Sequence, residues 1–251
     1  MSKFIKTLAV ISALAIFCTG FTSCKDDEDN DTTSTTINTG FEGKYFSVRT
    51  INNSKIIAGE NEEPYASCSV EVIIFNKNGT GTYKEMKWEY LKDEDQRLSI
   101  NKSNFSEDFA YTKSGSTLKF NVSNDDLEFT IKSDDTICYG DRSYDKEGIK
   151  EIYAYVNIEA IEGEETSKTV TSKAILLKND NTSFMKSIVS TFESFGKGEV
   201  VDTSQVAGTY EKSGTNITFT EKNTGIQTTG SFNTEDEKTY LNYNNLDYIK
   251  L

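Results

Sequence analysis

Histidine is absent from all 251 residues. That removes Ser-His-Asp and Cys-His nucleophilic systems and His-ligated zinc, and leaves carboxylate, lysine or tyrosine chemistry and oxygen-ligated Ca²⁺. Proline occurs once, at Pro64. Basic residues are few, 27 against 40 acidic ones, for a formal charge of −13. This balance disfavours nucleic acid as a partner, because binding a polyanion needs a basic surface that releases counterions. It also gives no electrostatic attraction to anionic lipid. No apolar run reaches the ~20 residues of an untilted membrane helix. What is abundant is Tyr (13) and Phe (15), with many Thr, Val and Ile, which favours strands over helices.

The N-terminus carries an address. Lys3 and Lys6 precede the apolar stretch Leu8–Phe21, then come Thr22, Ser23, Cys24 and the acidic run Lys25-Asp26-Asp27-Glu28-Asp29. Basic start, short apolar core and small residues are the order of an export signal. Phe21-Thr22-Ser23-Cys24 resembles a bacterial lipobox, with Phe21 where leucine is usual. The resemblance implies that residues 1–23 are a signal peptide and that Cys24 is acylated (with palmitate-type chains) and becomes the mature N-terminus. Two or more acyl chains anchor stably where one does not. The acidic run resembles the surface-export signal of Bacteroidota lipoproteins, which implies an outer-membrane, lipid-anchored protein on the extracellular face; a solvated acidic linker is the other reading. Residues 24–40, rich in Thr, Ser, Asn and Asp, read as an acidic flexible tether. Asp31-Thr32-Thr33 and Asp135-Thr136-Ile137 resemble short O-glycosylation acceptors. Loss of the first 23 residues and their two lysines leaves 228 residues at −15, room for one large or two small domains.

Beyond Phe41, period-two alternation is broken by Gly, Asn and Asp turns. Lys44–Ile51, Ser69–Phe75 and Thr80–Tyr90 read as strands, the last two joined by Asn76-Lys77-Asn78-Gly79 in a type I′ hairpin. Further strands are expected at 97–100, 109–113, 117–122, 127–131 and 136–139, then at 152–161, 168–177, 199–201, 208–211, 216–221, 225–232, 239–243 and 246–250. Asp141–Gly148 reads as a boundary. Phe184, Ile188, Phe192 and Phe195 fall at i, i+4, i+8 and i+11, a spacing that predicts one short helix over 183–195; two short strands compete with it. Cys18 falls in the signal. Cys68 and Cys138 remain as a pair in an oxidising compartment, either disulfide-bonded or as two free buried thiols.

The chain repeats itself. Tyr111–Phe120 and Tyr210–Phe219 share identical or conservatively replaced residues at seven of ten positions, and a Phe-x-x-x-Gly-x-Gly turn precedes each, at Phe75–Gly81 and Phe192–Gly198. This predicts a mostly-β fold of two tandem antiparallel modules, 41–145 and 150–251, each a barrel or sandwich; one continuous β fold is the competitor. Residues 75–81 and 208–219 resemble the lipocalin-like domains of Bacteroidota surface lipoproteins. Gly43-Lys44-Tyr45 stands where true lipocalins have Gly-x-Trp. Each half, at about 100 residues, is short for an eight-stranded barrel with a cavity.

Trp88 and Tyr90, two apart on one predicted strand, form either a stacking platform for a sugar ring or part of a core, and Tyr240, Tyr243 and Tyr248 pose the same choice. Acidic runs (Glu60-Glu62-Glu63, Asp93-Glu94-Asp95, Asp125-Asp126, Asp134-Asp135, Glu162-Glu164-Glu165, Glu235-Asp236-Glu237) sit in predicted loops, where charge runs are solvated turns. The expectation is a non-catalytic surface lipoprotein, without cofactor or metal, that binds a glycan, a small apolar ligand or a surface protein. A structural subunit of an uptake or adhesive assembly is the first rival. A carboxylate-dependent glycan hydrolase, which needs two facing acids, is the second.

Overall fold

Alternating side chains and short polar turns make every described element a strand. The computed structural model describes residues 41–56, 62–92, 98–146, 148–160, 168–192 and 199–251, all in one compact unit. In order the strands are β1 (Gly43–Ile56), β2 (Glu62–Phe75), β3 (Thr80–Lys92), β4 (Leu98–Ser114), β5 (Thr117–Val122), β6 (Asp125–Ser133), β7 (Thr136–Tyr139) and β8 (Arg142–Asp145), then β9 (Ile149–Ala160), β10 (Lys168–Lys178), β11 (Thr182–Phe192), β12 (Glu199–Ser213), β13 (Asn216–Glu221), β14 (Gln227–Glu235), β15 (Lys238–Tyr243) and β16 (Leu246–Lys250). Each strand pairs antiparallel with the next. β8 returns to β1 at Phe46–Asp145, and β16 returns to β9 at Ala154–Ile249 and Tyr153–Lys250. The chain is therefore mostly β, with two closed, eight-stranded, lipocalin-like barrels in tandem. Short turns and strands of 4 to 6 residues at β5, β7, β8, β13, β15 and β16 are what let each closed barrel fit a length that looked insufficient.

The first four strands of each barrel are long and extend past the last four. Their outward faces pack against each other in an apolar seam: Phe46, Val48, Cys68, Val70, Val72, Met86 and Tyr90 from the first barrel, and Ile152, Ala154, Val156, Ile158, Val170 and Leu176 from the second. Ser172 Oγ donates to the Arg49 carbonyl at 2.7 Å and Lys44 Nζ to the Lys150 carbonyl at 2.6 Å across it. β2 and β10 are thus covered on both faces. This is why Val70–Phe75 and Ile175–Leu177 read as near-continuous apolar runs.

Several expectations are corrected. The helix over 183–195 is strand β11, paired over its length with β10 and β12. Spacings of 4 and 8 are also multiples of 2: Phe184 and Ile188 lie on the seam face, while Met185 faces the barrel. Phe195 lies outside the described residues. Residues 98–100 and 109–113 of the expected strands are one strand, β4, as are 199–201 and 208–211, in β12; residue 97 lies outside the described residues. The supposed boundary at Asp141–Gly148 contains β8, the closing strand. The turn after Phe75 has positive φ only at Gly79 (+80°), so it is not type I′; Gly79 N donates to the Asn76 carbonyl at 3.4 Å. Cys68 and Cys138 are free thiols. β8 and β1 separate β7 from β2 around the barrel, on the order of 14 Å at about 4.8 Å per strand, beyond the ~7 Å a disulfide spans. Cys68 lies in the seam 3.6 Å from the Asn157 carbonyl, and burial pushes its thiol up to about 12.

Candidate site in the second barrel

The two barrels correspond strand by strand, β1 to β9 through β8 to β16. Asn78 Oδ1 accepts from Thr80 N (3.2 Å) and Oγ1 (2.7 Å), as Asp180 Oδ1 does from Thr182 N (3.0 Å) and Oγ1 (2.6 Å). Tyr111 N donates to the Gly79 carbonyl and Tyr210 N to that of Asn181, each at 2.9 Å. Asn181, at φ +61°, takes the part of Gly79. The Phe75–Gly81 hairpin therefore matches Leu177–Ser183, not the expected Phe192–Gly198, whose residues 193–198 lie outside the described ones. The Tyr111–Phe120 and Tyr210–Phe219 segments do correspond.

From this register, one interior row can be compared between barrels. In the first it reads Glu71–Glu85–Phe105 across β2, β3 and β4; in the second, Lys173–Ser187–Ser204 across β10, β11 and β12.

The first barrel is packed with aromatic rings at its centre, and a recess of about 270 Å³ lined by Tyr83, Glu85, Phe105, Val122 and Leu127 opens at its mouth. Phe109 and Phe120 stack at 4.2 Å, Phe120 and Phe129 at 5.2 Å, and Phe75 meets Phe109, Phe120 and Tyr111 edge-on. Glu71 is only 1 % exposed. Its Oε1 accepts from Arg142 Nη1 and from Ser69 Oγ (3.0 Å), and its Oε2 from the hydroxyls of Tyr144 and Tyr83 (3.1 Å). Burial, together with the Glu71 charge, holds both tyrosines far above the usual phenol range, so they remain donors. Burial opposes the Arg142 charge, but Glu71 beside it raises the guanidinium above its ordinary value. Burial, and then repulsion from Glu71, pushes the Glu85 carboxyl up to about 7. Glu71 and Glu85 are two inward acids directly opposite each other on adjacent strands. Glu71 is nonetheless closed to substrate, because both its oxygens are engaged and solvent does not reach it.

The second barrel carries smaller residues at corresponding places: Ser204 for Phe105, Gly208 for Phe109, Thr228 for Leu127, Gly230 for Phe129 and Leu246 for Arg142. A cavity of about 300 Å³ results. Ile175, Met185, Phe219, Tyr243 and Tyr248 supply its apolar walls, with Lys173, Ser187, Ser204 and Thr228 among them. Thr228 Oγ1 and Tyr243 OH share a hydrogen bond of 2.8 Å. Val206 (36 % exposed) and Ile226 (59 %) also line it and reach solvent, two of only four large apolar side chains so exposed among the described residues. A concave space that combines apolar walls with convergent polar groups is a common form of small-molecule site.

The residues singled out from sequence fall as follows. Cys24 and Asp31–Thr33 lie outside the described residues. Trp88 and Tyr90 share a face of β3, but that face is the seam: Tyr90 is buried with Lys168 Nζ 5.6 Å from its ring centroid, and Lys102 Nζ sits 3.9 Å over the half-buried Trp88 ring. The open sugar platform is not formed. Tyr243 and Tyr248 instead wall the cavity. Thr136 Oγ1 donates to Asp145 at 3.4 Å. Asp125-Asp126, Asp134-Asp135 and Glu235-Asp236-Glu237 are exposed near hairpin turns, while residues 60, 93–95 and 162–165 lie outside the described ones. Among the described residues no three His, Cys, Asp or Glu side chains converge on a metal position. Lys173, Ser204 and Met185 were not anticipated as site residues; their only sequence signal is inward parity on strands whose register had to be known first. No protein-family model, curated protein or solved structure matches the chain.

Proposed function

We propose that this protein is an outer-membrane lipoprotein, held by Cys24 on the extracellular face, whose second barrel binds a small, largely apolar ligand while the first serves as its rigid support. The observation that carries the reading is a recess of about 300 Å³ that reaches inward to Ile175, Gly208 and Phe219, the level at which the first barrel is closed by Phe109, Phe120 and Phe129. Water held against the apolar walls of such an open recess is released when a ligand covers them, which favours an occupant. A water occupies about 30 Å³ of liquid, so the space matches a ligand of about ten non-hydrogen atoms. The 40-residue leader and tether place such a barrel outside the cell, where it captures the ligand without chemistry.

Transplanting the first barrel's residues tests this. Titration of the mature protein with a neutral, environment-sensitive naphthylamine dye should give saturable, one-site fluorescence enhancement. Ser204→Phe/Thr228→Leu, which restores the bulk present at Phe105 and Leu127, should abolish it with the β circular dichroism intact. Undiminished dye binding by that folded variant would remove the cavity as the site.

A further inference from the structure

We infer that the ligand of the second barrel carries one anionic group, a carboxylate or its equivalent, that pairs with Lys173; this rests on the cavity reading above. The duplicated row differs in charge between the two barrels. In the first barrel the charged position, Glu71, is neutralised within the chain: Arg142 arrives from β8, and Ser69, Tyr83 and Tyr144 complete its hydrogen bonds. In the second barrel the same position is Lys173, of opposite sign. Arg142 is replaced by Leu246, which brings no countercharge. Among the described residues neither an ion pair nor a hydrogen bond engages Lys173 Nζ. The neighbours of Lys173 in the row, Ser187 and Ser204, are hydroxyl donors on adjacent strands at the cavity wall. One carboxylate lines the space, Glu221, and its Oε2 is taken up by Thr224 Oγ1 at 2.7 Å in the β13–β14 turn.

The two barrels have thus reached different solutions at one level. The first supplies both charges and closes. The second supplies Lys173 and two hydroxyls in the row, with Lys186 of β11 also on the lining, and leaves room. The row below Lys173 is Ile175, Met185 and Val206, and Phe219, Tyr243 and Tyr248 complete the apolar wall. An occupant that satisfies every part is amphipathic: an apolar body of about eight carbons against these walls and an anionic head among Lys173, Ser187 and Ser204. A neutral apolar molecule would fill the volume but leave the ammonium unpaired.

Calorimetric titration of the mature protein with octanoate, 1-octanol and octylamine tests this. A charge-assisted hydrogen bond is worth roughly a factor of 10 to 100 in affinity, so octanoate should bind at least tenfold more tightly than 1-octanol, and octylamine more weakly than either. Lys173→Met should bring octanoate to the level of 1-octanol, Lys173→Arg should restore the preference, and Lys173→Glu should favour octylamine. Equal binding of octanoate and 1-octanol by the native protein, or an octanoate preference that survives Lys173→Met, overturns the inference and leaves the cavity reading standing. Absence of binding by any of the three overturns both.

Discussion

At the scale of single residues, the first barrel is held by a charge that cannot be left alone. Removing one partner of a buried ion pair strands the other, at about 3–5 kcal/mol. Arg142→Ala should destabilise by that order, measured by urea unfolding. Glu71→Leu/Arg142→Leu should recover most of the loss, because it removes both charges together. Glu85 sets a pH dependence of definite sign. Its folded carboxyl sits at about 7, above the unfolded value of 4.5. The folded state therefore binds this proton more tightly, and the stabilisation is complete below about pH 4.5 and lost as pH rises through 7. Glu85→Gln should flatten that decline and raise stability at pH 8, on the order of 2 kcal/mol after allowance for partial exposure; equal pH profiles of variant and native protein would contradict it. Part of this was legible beforehand. Glu71 is a charge at inward parity with Ile73 and Phe75 in the strongest strand of the sequence. Its partner was not, because Arg142 lies in a short polar stretch that reads as a boundary and becomes a strand only when the barrel must close.

Among elements, the clearest misreading from sequence is a strand with two dry faces. β11 has the barrel interior on one side and the seam on the other, so apolar residues appear at both parities and imitate helical spacing. The choice between platform and core at Trp88 and Tyr90 stayed open for the same reason: the seam that covers them is made by residues about 60 to 100 positions away, and nothing local announces it. Trp88→Ala should therefore act on stability, lowering it by about 2–3 kcal/mol for a half-buried indole, with dye affinity in the second barrel unaltered. A Trp88→Ala variant of native stability that lost ligand would restore the stacking reading. The seam also accounts for Cys68, whose thiol is drawn into contact with β9 instead of toward Cys138.

For the molecule as a whole, duplication and divergence are the organising facts. The repeat Tyr111–Phe120/Tyr210–Phe219 was visible because it fixes a hairpin whose tyrosine hydroxyls grip the preceding turn at the Asn76 and Lys178 carbonyls. The cavity was not visible, since it arises from the difference between copies: Ser204, Gly208 and Thr228 have meaning only once aligned with Phe105, Phe109 and Leu127. Location is a separate test. Cys24→Ala should yield unlipidated protein by mass spectrometry, and replacing Asp26–Asp29 with alanine should remove the protein from reach of protease added to intact cells; continued cleavage would contradict surface export by that run. The central claim, that the deeper recess of the second barrel takes the ligand, is reported by its own methionine. Met185 lines the cavity, and Met86 lies in the seam. In the mature protein labelled with [¹³C-methyl]methionine, titration with octanoate should move the Met185 resonance saturably and leave Met86 in place. Movement of Met86 instead, or of neither, would contradict the account.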